Sequence, residues 1–183
     1  MKSLILSLVL VLAPGAVLAD CASMWLTRNM AFDRAGYCFG STLGKALFDN
    51  AGCIGKDVTL NAGDRGFVAH TIETEAAFEC SIDTSRRSLD LPLVNLWLQL
   101  LDFPRRDDGE SACLGWRGAP VNLRSAIGGG RVLGQISRGD DVLFSHMDQA
   151  GRSFVTVSSN GRPVSLGWVL IDYNDLSCDG FAG

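Results

Sequence analysis

Apolar residues in the first half of the chain recur at the three- and four-residue spacing that places side chains on one helix face. The pattern predicts a helix from Ser23 to Gly36, a short helix after Ser41 and a third after Asn61, with these polar residues capping the first turns. Residues 91–103 form a continuous apolar block that is too short to cross a membrane. This block therefore predicts a buried core helix.

The second half is typical of strands, because its apolar runs are short, rich in β-branched or aromatic residues, and separated by glycines or polar turns. Asn160-Gly161 is the strongest hairpin signal, since both central residues of a type I′ turn need positive φ. Five short strands predict a small barrel, with runs at residues 121–123, 132–136, 142–144, 154–157 and 166–171.

A segment rich in charge, Pro and Gly between Pro104 and Gly118 predicts a boundary between the two halves. We therefore expect a helical domain over residues 20–112 and a barrel domain over residues 113–183. The fold class is α+β with segregated parts: a small disulfide-tied helical domain followed by a five-stranded β-barrel.

Length and charge narrow the possible functions. The chain has 183 residues, 16 basic and 20 acidic, and a net charge of −4. This length excludes a large multidomain enzyme. The charge balance excludes electrostatic binding of a nucleic-acid backbone, so nucleic acid is not an expected partner.

The first residues are typical of a secretory signal peptide over residues 1–19. Lys2 precedes an apolar run that ends at a Pro14-Gly15 break, and small residues lead to a cut after Ala19. An acidic Asp20 before Cys21 does not fit a lipoprotein box. The expected location is the periplasm, without a stable membrane anchor after cleavage; an uncleaved anchor is the alternative.

An even number of cysteines in an exported chain predicts disulfides, and this chain has six cysteines. Two of the expected pairs flank predicted elements. One pair lies on either side of the second helix, and the other lies on either side of the barrel. The remaining two cysteines would tie the mature N-terminus to the third helix. The connectivity stays open, but the favoured pairs are Cys38–Cys53, Cys113–Cys178 and Cys21–Cys80.

Catalytic chemistry has little support in the sequence. The two histidines, His70 and His146, lie in different halves, and no G-x-S-x-G nucleophile motif is present. Glu73-x-Glu75 places its carboxylates on different helix faces, and Asp107-Asp108-x-Glu110 lies in the linker. We expect no catalytic residue, no metal and no cofactor; the alternative is a cell-wall hydrolase that uses either histidine.

Two resemblances add to this picture. VNLRS, VLGQISRGDDV and LGWVLIDY resemble the bacterial Src-homology-3 (SH3) family over about residues 117–175. RNMAFDRAGYCF resembles the extracytoplasmic YARHG family, with Ala35 in place of the histidine of that name. The matching motif residues, for which we expect structural roles, are Arg28, Asn29, Arg34, Gly36, Tyr37 and Phe39.

Together the halves resemble an exported alphaproteobacterial family of unknown function. The resemblance implies a binding or scaffolding role without an established catalytic mechanism. A small barrel has little interior, so we expect Phe154, Trp168 and Tyr173, with Arg124, to form an exposed ligand surface. The expected ligand is peptidoglycan or an envelope protein; the alternative is a structural or inhibitory partner of another envelope protein.

Overall fold

A computed structural model of the chain describes residues 14–171 and 178–183. Within these ranges, four helices precede seven strands. The helices are α1 (Pro14–Arg34), α2 (Thr42–Leu47), α3 (Ala62–Ala77) and α4 (Val94–Trp97). The strands are β1 (Arg106–Trp116), β2 (Val121–Ala126), β3 (Gly129–Ile136), β4 (Asp141–His146), β5 (Ser153–Ser159), β6 (Arg162–Val169) and β7 (Cys178–Ala182).

Two of the predicted helix starts are confirmed. The side chain of Ser41 accepts a hydrogen bond from the backbone N–H of Gly44 at the start of α2, and that of Asn61 accepts one from Asp64 N–H at the start of α3. The predicted start of the first helix is wrong, because α1 already runs through Ser23. The hydroxyl of Ser23 donates to the carbonyl of Asp20, as a residue inside a helix does.

The predicted cut after Ala19 lies within α1, and residues 1–13 of the predicted signal peptide lie outside the described residues. In the part of the chain that is described, no helix has both the length and the apolar character that a membrane crossing requires.

The apolar block at residues 91–103 is buried only at Leu91, Trp97, Leu100 and Phe103, and the prediction of a core helix there is wrong beyond one turn. Only α4 is helical, and Leu93 before it has a left-handed φ of 58°. Backbone groups after α4 bond elsewhere: Leu101 N–H donates to the Ser125 carbonyl of β2, and Arg34 donates to the carbonyls of Leu100 and Leu101. These long-range partners replace the bonds of a continuing helix.

The strands form one antiparallel sheet in the order β3-β2-β6-β5-β4-β1-β7. The five predicted strands correspond to β2 to β6. The predicted count is too low, because β1 and β7 extend the sheet and β3 and β7 remain as its edges among the described strands. The structure therefore shows an open antiparallel sheet where the sequence predicts a closed five-stranded barrel. The Asn160-Gly161 turn is confirmed, with φ of 52° and 72°.

The apolar core joins the two halves. One cluster lies within the sheet around Leu123, Val142 and Val157. The other combines helical residues such as Leu26 and Phe67 with residues of β5 and β6. The predicted boundary between residues 112 and 113 falls inside β1.

Three disulfides include every cysteine of the chain, and they are the three pairs predicted from the sequence: Cys21–Cys80, Cys38–Cys53 and Cys113–Cys178. The first ties α1 to the end of α3, the second closes the segment around α2, and the third joins β1 to β7. In the chain-entropy view the shortest loop contributes about 3 kcal/mol and each long loop about 4 kcal/mol. Such bonds are typical of exported proteins.

Candidate functional site

Two of the aromatic residues predicted to bind a ligand are buried, so the prediction that they form an exposed surface is wrong. Phe154 is 0% exposed and Trp168 is 1% exposed. Tyr173 lies outside the described residues. Arg124 is half-buried, and its guanidinium donates to the Gly130 carbonyl at the start of β3.

The helical half and the segment after it cover this face of the sheet. The ring of Trp97 lies 5.2 Å from that of Phe154, and the indole N–H of Trp168 donates to the Asp102 carbonyl at 3.0 Å. The Asp102 carboxylate also accepts from Ile127 N–H at 2.7 Å. The surface expected to bind a ligand therefore binds the chain's own helical half.

The two motif arginines contact different partners, as expected from their positions on different faces of α1. Arg28 forms an ion pair with Glu75 of α3, at 3.0 Å between Nε and Oε2. The guanidinium of Arg34 donates to the carbonyls of Leu100 and Leu101 at 2.5 and 2.7 Å and lies 4.0 Å above the Phe103 ring. Burial lowers the pKa of Arg34, although nearby carboxylates oppose this effect.

The remaining motif residues shape the turn after α1. Asn29 donates to the Trp25 carbonyl within the helix. Gly36 has a φ of 85°, and a Cβ there would lie 2.9 Å from the Ile54 side chain, so glycine is required. The rings of Tyr37 and Phe39 pack edge to face, with their centroids 5.0 Å apart. All these contacts are structural.

The structure brings together the two histidines that the sequence analysis treats as separate. His70 of α3 and His146 of β4 both line a small internal cavity of about 10 Å³, together with Arg106. His70 Nε2 and Arg106 Nε are buried and have no hydrogen-bond partner among the described residues. The sequence does not indicate this arrangement, because the two histidines lie on elements that are far apart in the chain.

The electrostatics of this cavity do not favour catalysis. Burial, assisted by the positive charge of Arg106, lowers the pKa of His146 to about 3. The hydroxyl of Ser145 lies 3.1 Å from His146 Nδ1, which forms a serine and histidine pair. A base with so low a pKa accepts a proton poorly at neutral pH, so this pair is a weak nucleophile and base set.

Arg106 organises the cavity wall. Its side chain is 4% exposed and forms ion pairs with Asp20 at 3.0 Å and Glu110 at 2.8 Å, and it donates to the Ser145 carbonyl. Burial raises the pKa of Asp20, although the guanidinium of Arg106 opposes this effect. Within the described part of the chain, no group of three His, Cys, Asp or Glu residues could hold a metal ion.

An open groove lies where the two halves meet, and we name it the junction groove. Its volume is about 470 Å³, and it is lined by Asp33 and Arg34 of α1, Asp49 after α2, residues 98–101 after α4, and Arg131 of β3. This volume falls within the range of small-ligand sites. The sequence analysis missed the groove because its walls come from segments far apart in the chain.

The junction groove carries charges of both signs. Burial and the nearby Asp49 carboxylate raise the pKa of Asp33, while Arg34 opposes the shift. On the other wall, Arg131 donates to the amide oxygen of Gln99 at 2.9 Å. The groove can therefore bind a ligand that presents both positive and negative groups.

Two family matches cover most of the chain. The YARHG domain matches residues 11–76, which confirms the resemblance of the first half. A domain of unknown function (DUF4453) matches residues 79–183, more than half of the chain, and includes the whole sheet. No curated protein and no solved structure shows a match. The chain therefore belongs to the DUF4453 family and carries a YARHG domain ahead of that region.

Proposed function

We propose that this chain is a periplasmic, non-catalytic binding or scaffolding protein that recognises peptidoglycan through the junction groove. One observation carries the proposal: the open groove presents both signs of charge and is built from both family regions. Peptidoglycan carries peptides with free ammonium and carboxylate groups, so its charges complement such a groove. The export signal predicted over residues 1–19 and the three disulfides support a location outside the cytoplasm.

The sheet has a supporting role in this proposal. Residues 117–175 resemble SH3 domains, which are binding modules, in sequence; the family that matches these residues is DUF4453. Because Phe154 and Trp168 are buried, the binding surface of this chain lies beside the sheet rather than on its aromatic face. The sheet then positions Arg131 at the groove wall.

A cell-wall hydrolase that uses His70 or His146 is less well supported. The low pKa of His146 leaves it a weak proton acceptor, and the cavity that it shares with His70 is only about 10 Å³. The enzyme hypothesis predicts release of soluble fragments from sacculi, with loss of that release in His70→Ala or His146→Ala. No release by the wild type would reject it.

An envelope protein is a second candidate partner, favoured by a different surface. Phe181 of the edge strand β7 is 68% exposed, and Leu114 of the adjacent strand β1 is 38% exposed. Exposed apolar residues at a sheet edge are typical of protein contacts. Crosslinking in cells followed by copurification would identify such a partner. The substitution Phe181→Ser should reduce the amount of partner that copurifies.

Sedimentation with purified sacculi tests the main proposal. We expect the wild-type protein to pellet with sacculi at low and moderate salt, and the substitution Arg131→Gln to reduce the pelleted fraction. Arg162→Gln is the matched control, because Arg162 is also an exposed strand arginine but lies in the β5–β6 hairpin. Wild-type protein that remains in the supernatant would reject peptidoglycan binding.

A further inference from the structure

We propose that the junction groove binds a zwitterionic amino-acid group, with its ammonium at Asp33 and Asp49 and its carboxylate at Arg131. This inference rests on the proposed function and deepens it, because it names the chemical group of peptidoglycan that the groove recognises. Three sets of groove-lining residues support it: Asp33 and Asp49, which we name the acidic wall; Arg131, which we name the basic wall; and the apolar Met30, Leu47 and Phe48.

The acidic wall attracts a cation. Asp33 lies in the last turn of α1, and Asp49 follows shortly after the end of α2. Helix C-termini carry partial negative charge, so a carboxylate at either position is unfavourable by itself. Among the described ion pairs none involves these carboxylates. A ligand ammonium would relieve their mutual repulsion.

The neighbouring Arg34 offsets part of the charge of this wall, but it forms no described ion pair with Asp33 or Asp49. The guanidinium of Arg34 directs its donors to the carbonyls of Leu100 and Leu101 and stacks on the Phe103 ring. These contacts of Arg34 stabilise the segment after α4. Asp33 is exposed at the groove, so an ammonium can reach its carboxylate.

The basic wall suits a carboxylate. Arg131 lies on the edge strand β3 and is exposed. Its hydrogen bond within the groove is to the neutral amide of Gln99, and none of the described ion pairs includes it. A guanidinium has five N–H donors in a planar fork, so donors remain for a bidentate carboxylate.

A ligand with a single charge fits less well. The four charged side chains of the groove, Asp33, Asp49, Arg34 and Arg131, sum to zero. Arg131 would repel a simple cation, and the two carboxylates would repel a simple anion. The groove lining also includes the apolar residues Met30, Leu47 and Phe48, which can pack against methylene groups. A zwitterion with a short aliphatic stem satisfies all three surfaces.

Calorimetric titration of the full mature chain with three peptides tests the inference. The first is a peptidoglycan stem tripeptide ending in meso-diaminopimelate, whose side chain ends in an ammonium and a carboxylate. The second carries an acetyl group on that amine, and the third an amide in place of that carboxylate. Each change should weaken binding about tenfold or more, as expected for loss of a charged hydrogen-bonded contact.

Matched variants locate the effect on the protein. Asp33→Asn should weaken the unmodified peptide about tenfold and lose discrimination against the acetylated one, and Arg131→Gln should lose discrimination against the amidated one. Asp57→Asn and Arg162→Gln are controls at exposed positions outside the groove and should bind like the wild type. Equal affinity for all three peptides, or no binding of any, would overturn the inference.

The outcome separates this inference from the proposed function. If sacculi retain the wild type and both groove variants equally, the protein binds peptidoglycan but the zwitterionic site is wrong. If sacculi do not retain the wild type while the free peptide binds with the predicted discrimination, the site stands and the proposed function is wrong.

Discussion

Phe154→Ala distinguishes a core residue from a ligand surface more sharply than any other single substitution. The Phe154 ring is fully buried and contacts three others, with centroids 5.2 Å from Trp97, 5.0 Å from His146 and 5.4 Å from Trp168. Truncation of a buried Phe to Ala removes these contacts and leaves a cavity, which costs about 3–5 kcal/mol. We expect a loss of this size in the free energy of unfolding.

Urea denaturation followed by tryptophan fluorescence and far-ultraviolet circular dichroism measures this loss. With an m-value of about 2 kcal/mol/M, the unfolding midpoint should fall by about 2 M. Both probes should shift together, because Phe154 belongs to the cluster that joins helices and sheet. Leu170→Ala is the control, because Leu170 is 62% exposed, and it should change stability by less than about 0.5 kcal/mol. An unchanged midpoint for Phe154→Ala would refute the claim that the helical half covers this face of the sheet.

Three further predictions concern other parts of the fold. Arg34→Ala should lower the free energy of unfolding by about 2–3 kcal/mol in urea, because two carbonyls lose a charged donor. Replacing Cys113 and Cys178 together by serine should cost about 4 kcal/mol in the same assay. Stability should fall by about 2 kcal/mol from pH 6.5 to pH 4.5, because the unfolded chain protonates His146 more readily than the folded chain.

Each of these predictions has a contradicting result. Arg34→Lys should recover only part of the loss, since a lysine lacks the planar fork, and full recovery would show that only the charge matters. An unchanged midpoint in the double serine variant would show that the third disulfide does not stabilise the fold. His146→Gln should flatten the pH dependence between pH 6.5 and 4.5, and an identical slope in both proteins would assign it to other groups.

Local signals in the sequence predicted the local structure well. Ser41 and Asn61 cap helices because their side chains bond to backbone N–H groups three residues ahead, which needs no distant partner. Asn160-Gly161 forms its hairpin because both residues tolerate positive φ. The cysteine positions relative to these elements indicated the disulfide pairs that the structure contains.

Long-range packing explains the errors. Residues 91–103 form only one helical turn because Arg34 and Ser125 take the backbone groups that a longer helix would use. The sequence does not predict β1, because the first part of this strand is acidic. In the structure β1 pairs with β4 on one side and β7 on the other. The periodicity of one segment does not reveal what covers it, so Phe154 and Trp168 were predicted as exposed.

The candidate site was harder to predict than the fold. The junction groove combines residues of α1, β3 and the segments after α2 and α4, and no sequence motif spans those positions. Asp33 and Arg131 are ordinary surface charges when the sequence is considered alone. Their relation becomes visible only when the helical half is packed against the sheet.

Chemical-shift mapping by NMR on the isotope-labelled mature protein, titrated with soluble peptidoglycan fragments, tests the central claim most directly. That claim is that the chain covers the aromatic face of its sheet and binds ligand in the junction groove. We expect the amide signals of Asp33, Gln99 and Arg131 to shift with saturation, while the indole N–H signal of Trp168 stays in place. A shift centred on Trp168 with unchanged groove signals would contradict the account.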